Sequence, residues 1–447
     1  MGEPNTLTRR RFVQNATGAG ATGLVAPYFV PAKALGKSGT PGANDRIQLA
    51  LIGAGGMGRV NLRNCARFPE VVVTGVCDVW KERRDRGVNS FKESAKPYHD
   101  YREMLQQEDV DAVVIATPPH WHCLQAVHAC EAGKDIFLQK PMTLHVAEGL
   151  AVKRAAEKHN RIIQIGTQVH SGDNYPRVVE LVRSGRLGPI SVVRTFHLQN
   201  QGVDGIQHIN PSLRGWEEPK DLDWDFWVGP APMRPFDPVI VQDAASNSSF
   251  MDYSGGWTPG MGPHIVDLPF WALKLDFPTK TTCAGGRYVL RDVGDVPDTQ
   301  EVSWEFANLA MTWSQSMVHT FFGSASMTLG IYFHAVNGTL FADYNNCRVE
   351  PETNRMEKVE LEEQPLDSTG RHEKEWLDCI RTRKQPSCNA SYHYKIDVAL
   401  ALANLSYKVG RSIRFDPTTE KIIGDAEAAQ LAQPKYRDPW KFPAEYL

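Results

Sequence analysis

Ile47-Gln48-Leu49-Ala50-Leu51-Ile52-Gly53-Ala54-Gly55-Gly56-Met57-Gly58 is the stretch that decides the fold of this chain. An apolar run of strand character ends in G-A-G-G-M-G, a fit to G-x-G-x-x-G, and residues 59–66 then read as a helix. The chemistry of such a junction is anion binding. Gly53 allows the tight turn, Gly55 lets backbone approach a pyrophosphate, Gly58 lets helix pack on strand, and the helix N-terminus offers free N–H groups with a partial positive charge. Ala54, Gly56 and Met57 complete the loop as further cofactor-contacting positions. A second predicted strand, residues 71–77, ends at Asp78, twenty residues beyond Gly58, where a carboxylate can bond ribose hydroxyls. This order predicts a dinucleotide site. Asp78 favours NAD because it repels a 2′-phosphate, while Lys81, Arg83 and Arg84 close behind keep NADP open.

Strand and helix continue to alternate after Asp78, which predicts a parallel sheet covered on both faces over residues 46–166. Helices are expected at residues 81–95, 121–132 and 144–159, and strands at 110–117, 135–139 and 162–166. In an open parallel sheet the ligand lies off the carboxyl ends of the strands. Besides the glycines, those ends carry Thr117-Pro118-Pro119-His120-Trp121-His122 and Gln139-Lys140-Pro141. Thr117, Pro118, His120, His122, Gln139 and Lys140 are therefore cofactor-contact candidates. For the two histidines, a bond to ribose competes with a purely structural role as buried, satisfied rings. Lys140 can hydrogen-bond a substrate hydroxyl and stabilise developing negative charge, or it can be an ordinary solvated lysine.

The 447 residues suffice for two or three domains with a sizeable core, and the composition is that of an ordinary soluble protein. The formal net charge is −3, and −6 once residues 1–34 are set aside. A mildly acidic body has no reason to seek nucleic acid. The eight cysteines are scattered without zinc-ligand spacing, so neither a metal site nor a disulfide frame is expected.

Residues 1–34 read as an export signal. Thr8-Arg9-Arg10-Arg11-Phe12 precedes a glycine-rich apolar stretch and an A-x-A-like site, Ala32-Lys33-Ala34. The pattern resembles a twin-arginine signal, with Val13-Gln14 where Leu-Lys is usual. The apolar run is too short and too glycine-broken to span a bilayer, so no stable membrane insertion is expected after processing. Residues 35–45 read as a linker.

A substrate and oligomerisation domain is expected over residues 167–415, followed by a surface tail, 416–447. It opens with an amphipathic helix, 174–188, and a strand, 190–198; short alternating runs from 281 to 349, including 287–290, suit a half-exposed antiparallel sheet. Residues 373–383 and 394–409 read as helices. Between 200 and 256 the chain has little periodicity and many aromatics; long aperiodic loops are commonly functional. Trp224 and Trp227 read as core, whereas Tyr253, Trp257 and Trp216 are candidates to stack on a sugar. His264 stands at the start of a helix predicted over 265–273, with Asp267 one turn on, spaced to hold the imidazole in one tautomer.

G-A-G-G-M-G, Asp78, T-P-P-H-W-H, Lys140-Pro141 with M-T after it, and Gly166-Thr167-Gln168 together resemble the Gfo/Idh/MocA family over nearly the whole chain after the signal. The resemblance implies a Rossmann domain followed by an α/β domain with an open, mainly antiparallel sheet, a nicotinamide cofactor also contacted by Gln168, a sugar or polyol substrate, and pairing of the open sheet face in a homo-oligomer. It also implies His264 as acid/base, Lys140 as hydroxyl anchor and Asp267 as orienter. Two departures stand out. The usual E-K-P is Gln139-Lys140-Pro141, and the usual D-x-x-x-H-x-x-D reads Gly260-Met261-Gly262-Pro263-His264-Ile265-Val266-Asp267, without its first acid.

These observations point to an exported NAD(P)-dependent oxidoreductase acting on CH–OH of a carbohydrate. Outside the cytoplasm free NAD is not dependable, so a tightly held cofactor restored in each cycle is expected. Two alternatives stay open: a redox-neutral glycosidase or lyase of the same fold, and a carbohydrate-binding relative that lost catalysis with the acid at position 260.

Overall fold

A computed structural model describes residues 46–206, 216–242, 244–323, 325–366 and 370–447. The signal and linker, residues 1–45, lie outside the described residues. The parallel sheet expected from the glycine-rich stretch is present. Its strands are β1 (Ile47–Ile52), β2 (Val71–Cys77), β3 (Lys96–Tyr98), β4 (Ala112–Ile115), β5 (Asp135–Leu138) and β6 (Ile163–Ile165), in the order β3-β2-β1-β4-β5-β6. Every neighbouring pair is parallel. The order reverses between β1 and β4, and it is outside that switch point that such sheets bind ligands.

Alternation along β1 assigns the two faces. Leu49 and Leu51 pack with Leu62 and Cys65 of α1 (Gly56–Ala66), beneath α2 (Lys81–Asn89). Ala50 and Ile52 join a second core with Leu124 of α3 (His122–Glu131) and Val152 of α4 (Val146–Lys158). Both cores recruit distant sequence. Trp376 and Leu377 of α7 (Arg371–Thr382) enter the first, and Tyr394 and Leu402 of α8 (Ala390–Val409), with Tyr446, enter the second. The tail after 415 thus carries a strand, Lys421–Ile423, a helix, Ala426–Leu431, and a buried anchor in Tyr446.

The second sheet has ten strands, and β7 (Ile190–Leu198) lies near its middle. β7 pairs parallel to Ala310–Ser316 and antiparallel to Leu329–Ala335, and the remaining pairs are antiparallel. One face buries Val193, Trp304, Trp313, Phe333 and Leu340 against α5 (Asn174–Arg183), α6 (Trp257–Leu273) and α8. The other carries polar side chains around an aromatic patch in which Phe196 stacks on Phe322 at 4.2 Å. Residues 287–290, expected as a strand, form no strand: the preceding one, Lys280–Gly286, stops before them, and Arg287 instead donates to the backbone oxygen of Val296.

The largest departure from expectation is α6. Gly260, Gly262, Pro259 and Pro263 suggested a loop leading to a helix at 265, yet the helix begins at Trp257 and places His264 in its interior. Tertiary burial overrides propensity here. Nearly every residue of α6 is buried, and a Cβ on Gly262 would lie 2.6 Å from Leu400, so the glycine lets α8 pack closely.

Candidate active site

The cofactor cradle forms where β1 turns into α1. Gly53 has φ +90, and a Cβ there would meet the Ala116 backbone at 2.8 Å. A Cβ on Gly58 would meet the Gly53 carbonyl at 2.0 Å. Among the described residues nothing lies within 4 Å of a Cβ added at Gly56, so backbone there is uncrowded past the turn. α1 has no side-chain cap and no acid in its first turn, which leaves its N–H groups and dipole for an anion. The residues present fit a dinucleotide. Asp78, at the end of β2, accepts from Ala54 N at 2.7 Å and Trp80 N at 2.8 Å. Burial pushes its carboxyl up, against the pull of Arg83. Arg83 lies over the Trp80 ring at 4.5 Å and donates to the carbonyls of Val241 and Gln242.

Several expected cofactor contacts are engaged elsewhere. His122 is fully buried, with its ring nitrogens on the carbonyls of Pro141 at 2.7 Å and Thr117 at 2.9 Å. His120 is buried between the carbonyls of Tyr253 and Trp227. Both are structural rings that tie strand-end loops together, which corrects the ribose assignment. Gln139 donates to Asn61 of α1 at 2.7 Å and accepts from Lys140 N, and so braces sheet against helix. The hydroxyl of Thr117 donates to Gln125 at 2.7 Å, with Pro118 next to it on the wall of a cavity shared with Gly53 and Asp78. Gln168 lines a separate groove with Met57 and Asn61.

Lys140 and α6 meet. The Lys140 ammonium, half-buried at the end of β5, donates to the Gly260 carbonyl at 2.6 Å, one turn before His264. Burial brings its pKa down to about 8. His264 is buried with Nδ1 unpartnered, and its carbonyl accepts from Tyr175 at 2.7 Å. Burial, then the charge of Lys140, holds this imidazole neutral far below its ordinary range.

Asp267 does not orient His264. Its oxygens take His170 Nδ1 at 2.8 Å and Tyr392 OH at 2.5 Å. Every residue on a helix is displaced by about 100° from the next, so the i,i+3 spacing allowed contact without enforcing it, and α6 turns Asp267 towards the segment after β6. His170 in turn stacks on Trp271 at 3.8 Å, and Cys388 closes the cluster. The stacking candidates also change. Tyr253 is wholly buried and Trp257 is 5% exposed, packed on His197 and apolar neighbours, so neither offers a face to a sugar; Trp216 is 53% exposed.

Two residues near Lys140 and α6 escaped sequence reasoning. His197, on β7, stacks on Trp257 at 6.0 Å and has a buried, unpartnered Nδ1; burial and Lys140 bring its pKa down to about 4. A signal existed, since His197 alternates with Val193 and Thr195 on the inward face of an apolar strand. Ser248 had none. Its Oγ lies 3.3 Å from where a Cβ on Gly260 would stand, beside the position of the missing acid.

Residues 47–167 match the family model described as oxidoreductase family, NAD-binding Rossmann fold, and residues 180–442 match that of the same family's C-terminal alpha/beta domain. Among curated relatives, an inositol 2-dehydrogenase of Salmonella typhimurium is 29% identical over 153 residues, 34% of this chain and 46% of that protein. A glycosyl hydrolase family 109 protein of Shewanella baltica is 28% identical over 206 residues, 42% of this chain and 45% of that one. The matched stretches thus span less than half of either relative. Among solved structures, levoglucosan dehydrogenase with NADH and levoglucosan aligns with TM-score 0.62 at 15% identity, covering 83% of this chain and 99% of that one. Aldose-aldose oxidoreductase from Caulobacter crescentus aligns with TM-score 0.61 at 16% identity, covering 83% and 100%. At such identities the structures report the fold. With a matching family model on each of its two sheets, the chain belongs to the Gfo/Idh/MocA oxidoreductases, enzymes with an NAD-binding Rossmann domain.

Proposed function

We propose that this protein oxidises a CH–OH group of a sugar or polyol with a tightly held NAD, after export by the twin-arginine route. The observation that carries the reading is the meeting of Lys140, at a strand's carboxyl end, with the helix that bears His264. Gly53 to Gly58 and Asp78 would hold NAD, whose nicotinamide supplies the hydride acceptor. His264, neutral across the working range, takes the hydroxyl proton through its unpartnered Nδ1 or its other ring nitrogen. The Lys140 ammonium anchors substrate oxygen and offsets negative charge as it develops. Asp267 acts at a distance, by fixing α6 through His170 and Tyr392. The relatives named inositol 2-dehydrogenase support the substrate class. The protein forms a homo-oligomer through the open sheet face, where Phe196, Phe322 and Tyr332 stack on one another.

One observation favours a second reading. The glycosyl hydrolase family 109 relatives fit a redox-neutral cycle, in which a substrate carbinol is oxidised, the leaving group departs by elimination, water adds and hydride returns. The test is turnover by the exported, purified chain on free sugars and aryl glycosides, with and without added NAD. NADH formation on a polyol supports oxidation; aglycone release with no net NADH supports the second reading; neither activity would refute both.

A further inference from the structure

The described surroundings of Lys140 contain no compensating acid. An ammonium carries three donors, yet the one protein partner of the Lys140 ammonium among the described residues is the Gly260 carbonyl. No described carboxylate contributes to the electrostatic setting of Lys140 or His197. The groups that act on His264 are the cation and three further histidines, His393, His372 and His197. His197 and His264 each add a buried, unpartnered Nδ1. The result is an ammonium with one protein acceptor and two buried, unpartnered imidazole nitrogens, His264 on the second turn of α6 and His197 on β7 against Trp257 in its first. A neutral polyol could satisfy the hydrogen bonds and would leave the charge uncompensated, which is costly in a partly desolvated site.

Resting on the reading of this site as a carbinol-oxidising centre, we propose that its substrate is a sugar acid, whose carboxylate pairs with Lys140 and is hydrogen-bonded by the imidazole of His197, leaving His264 for the carbinol. The carboxylate takes no part in the redox step. Bound NAD would supply the two-electron acceptor for the carbinol hydride, while the hydroxyl proton passes to a ring nitrogen of His264, so that the carbinol would become a carbonyl. Position 260 controls the preference. An acid there would supply the counter-charge from the protein, and Gly260 lies in ordinary helical backbone where, among the described residues outside α6, Ser248 alone comes within 4 Å of an added Cβ.

The experiment compares kcat/KM of the NAD-loaded full chain on D-gluconate and D-glucuronate with that on D-glucose and myo-inositol, at low and high salt, for the wild type, Gly260→Asp and Gly260→Asn. The expected result is a preference of about tenfold or more for a sugar acid, weakened by salt, and reversed by Asp and not by the isosteric Asn. Retained NAD reports that each variant is folded, and the wild-type preference needs no variant. Turnover of neutral sugars at equal or better efficiency would overturn the sugar-acid assignment and leave the oxidoreductase reading standing. Reduction of NAD by neither class would overturn both.

Discussion

The carboxylate of Asp267 receives His170 Nδ1 at 2.8 Å, while His264, one turn earlier on the same helix, keeps a buried Nδ1 with no partner. The acid therefore secures the helix and leaves the imidazole of His264 without a carboxylate partner. With Tyr392 on its second oxygen, Asp267 links α6 to α8 and to the segment after β6.

Asp267→Asn should destabilise the protein by about 3–5 kcal/mol near pH 6, because it breaks a buried pair and strands its partner. Asp267 is held below its ordinary 3.8, chiefly by His170 against the cost of burial, so its stabilisation is present above that value and lost as pH falls through the lower folded value. His170 is raised above its ordinary 6.5 by Asp267, also against burial, so its share is full below 6.5 and lost as pH rises through the higher folded value. Denaturant unfolding across pH checks this: the wild type should show a plateau bounded on both sides, and the variant a flatter profile. Equal stability of the two proteins at pH 6 would contradict the assignment.

Lys140 gives a separate pH signature. Its ammonium is the form that donates, and burial brings its pKa to about 8. The rate kcat/KM should therefore hold near neutrality and fall above about pH 8, by about tenfold per unit at the limit. Lys140→Arg should move that limb upward, and Lys140→Met should abolish it together with most activity. A limb that stays in the Met variant would place the titration on another group.

Gly58→Ala tests the cradle. The added Cβ would stand 2.0 Å from the Gly53 carbonyl, a contact that only backbone movement relieves. Retained NAD should fall by tenfold or more, about 1.4 kcal/mol or greater, as read by release on denaturation. Undiminished NAD content would mean the dinucleotide is held elsewhere.

Arg9→Lys with Arg10→Lys should leave the precursor in the cytoplasm with NAD bound. Fractionation of cells expressing the full chain checks the route, and normal export of the double variant would refute it.

How much was legible follows from what each pattern depends on. The glycine-rich turn, Asp78 and strand–helix alternation are local and periodic, and the five expected strands all appear in the parallel sheet, whereas the short edge strand Lys96–Tyr98 carries no such pattern and was missed. Lys140 was legible because a strand's carboxyl end has a fixed place in such sheets. The course of α6 was not, because its glycines and prolines are tolerated through contacts with α8, a partner more than a hundred residues away. Similar distances hid the partners of Asp267 and His120: spacing on one helix says which groups can meet, and tertiary packing decides which do. Ser248 lies in the stretch without periodicity and became visible only when Gly260 was placed beside it.

The central claim is that Lys140 and His264 serve carbinol oxidation with a retained NAD. Its most direct measurement is a single-turnover experiment on the purified protein with no cofactor added, following absorbance of NADH on mixing with sugars, polyols and sugar acids, in wild type and His264→Ala. The account predicts about one NADH formed per bound NAD in the wild type and a rate about 10²–10⁴ lower in the variant, with NAD content unchanged. A variant as fast as the wild type, or no reduction of the bound cofactor by any carbohydrate, would contradict it.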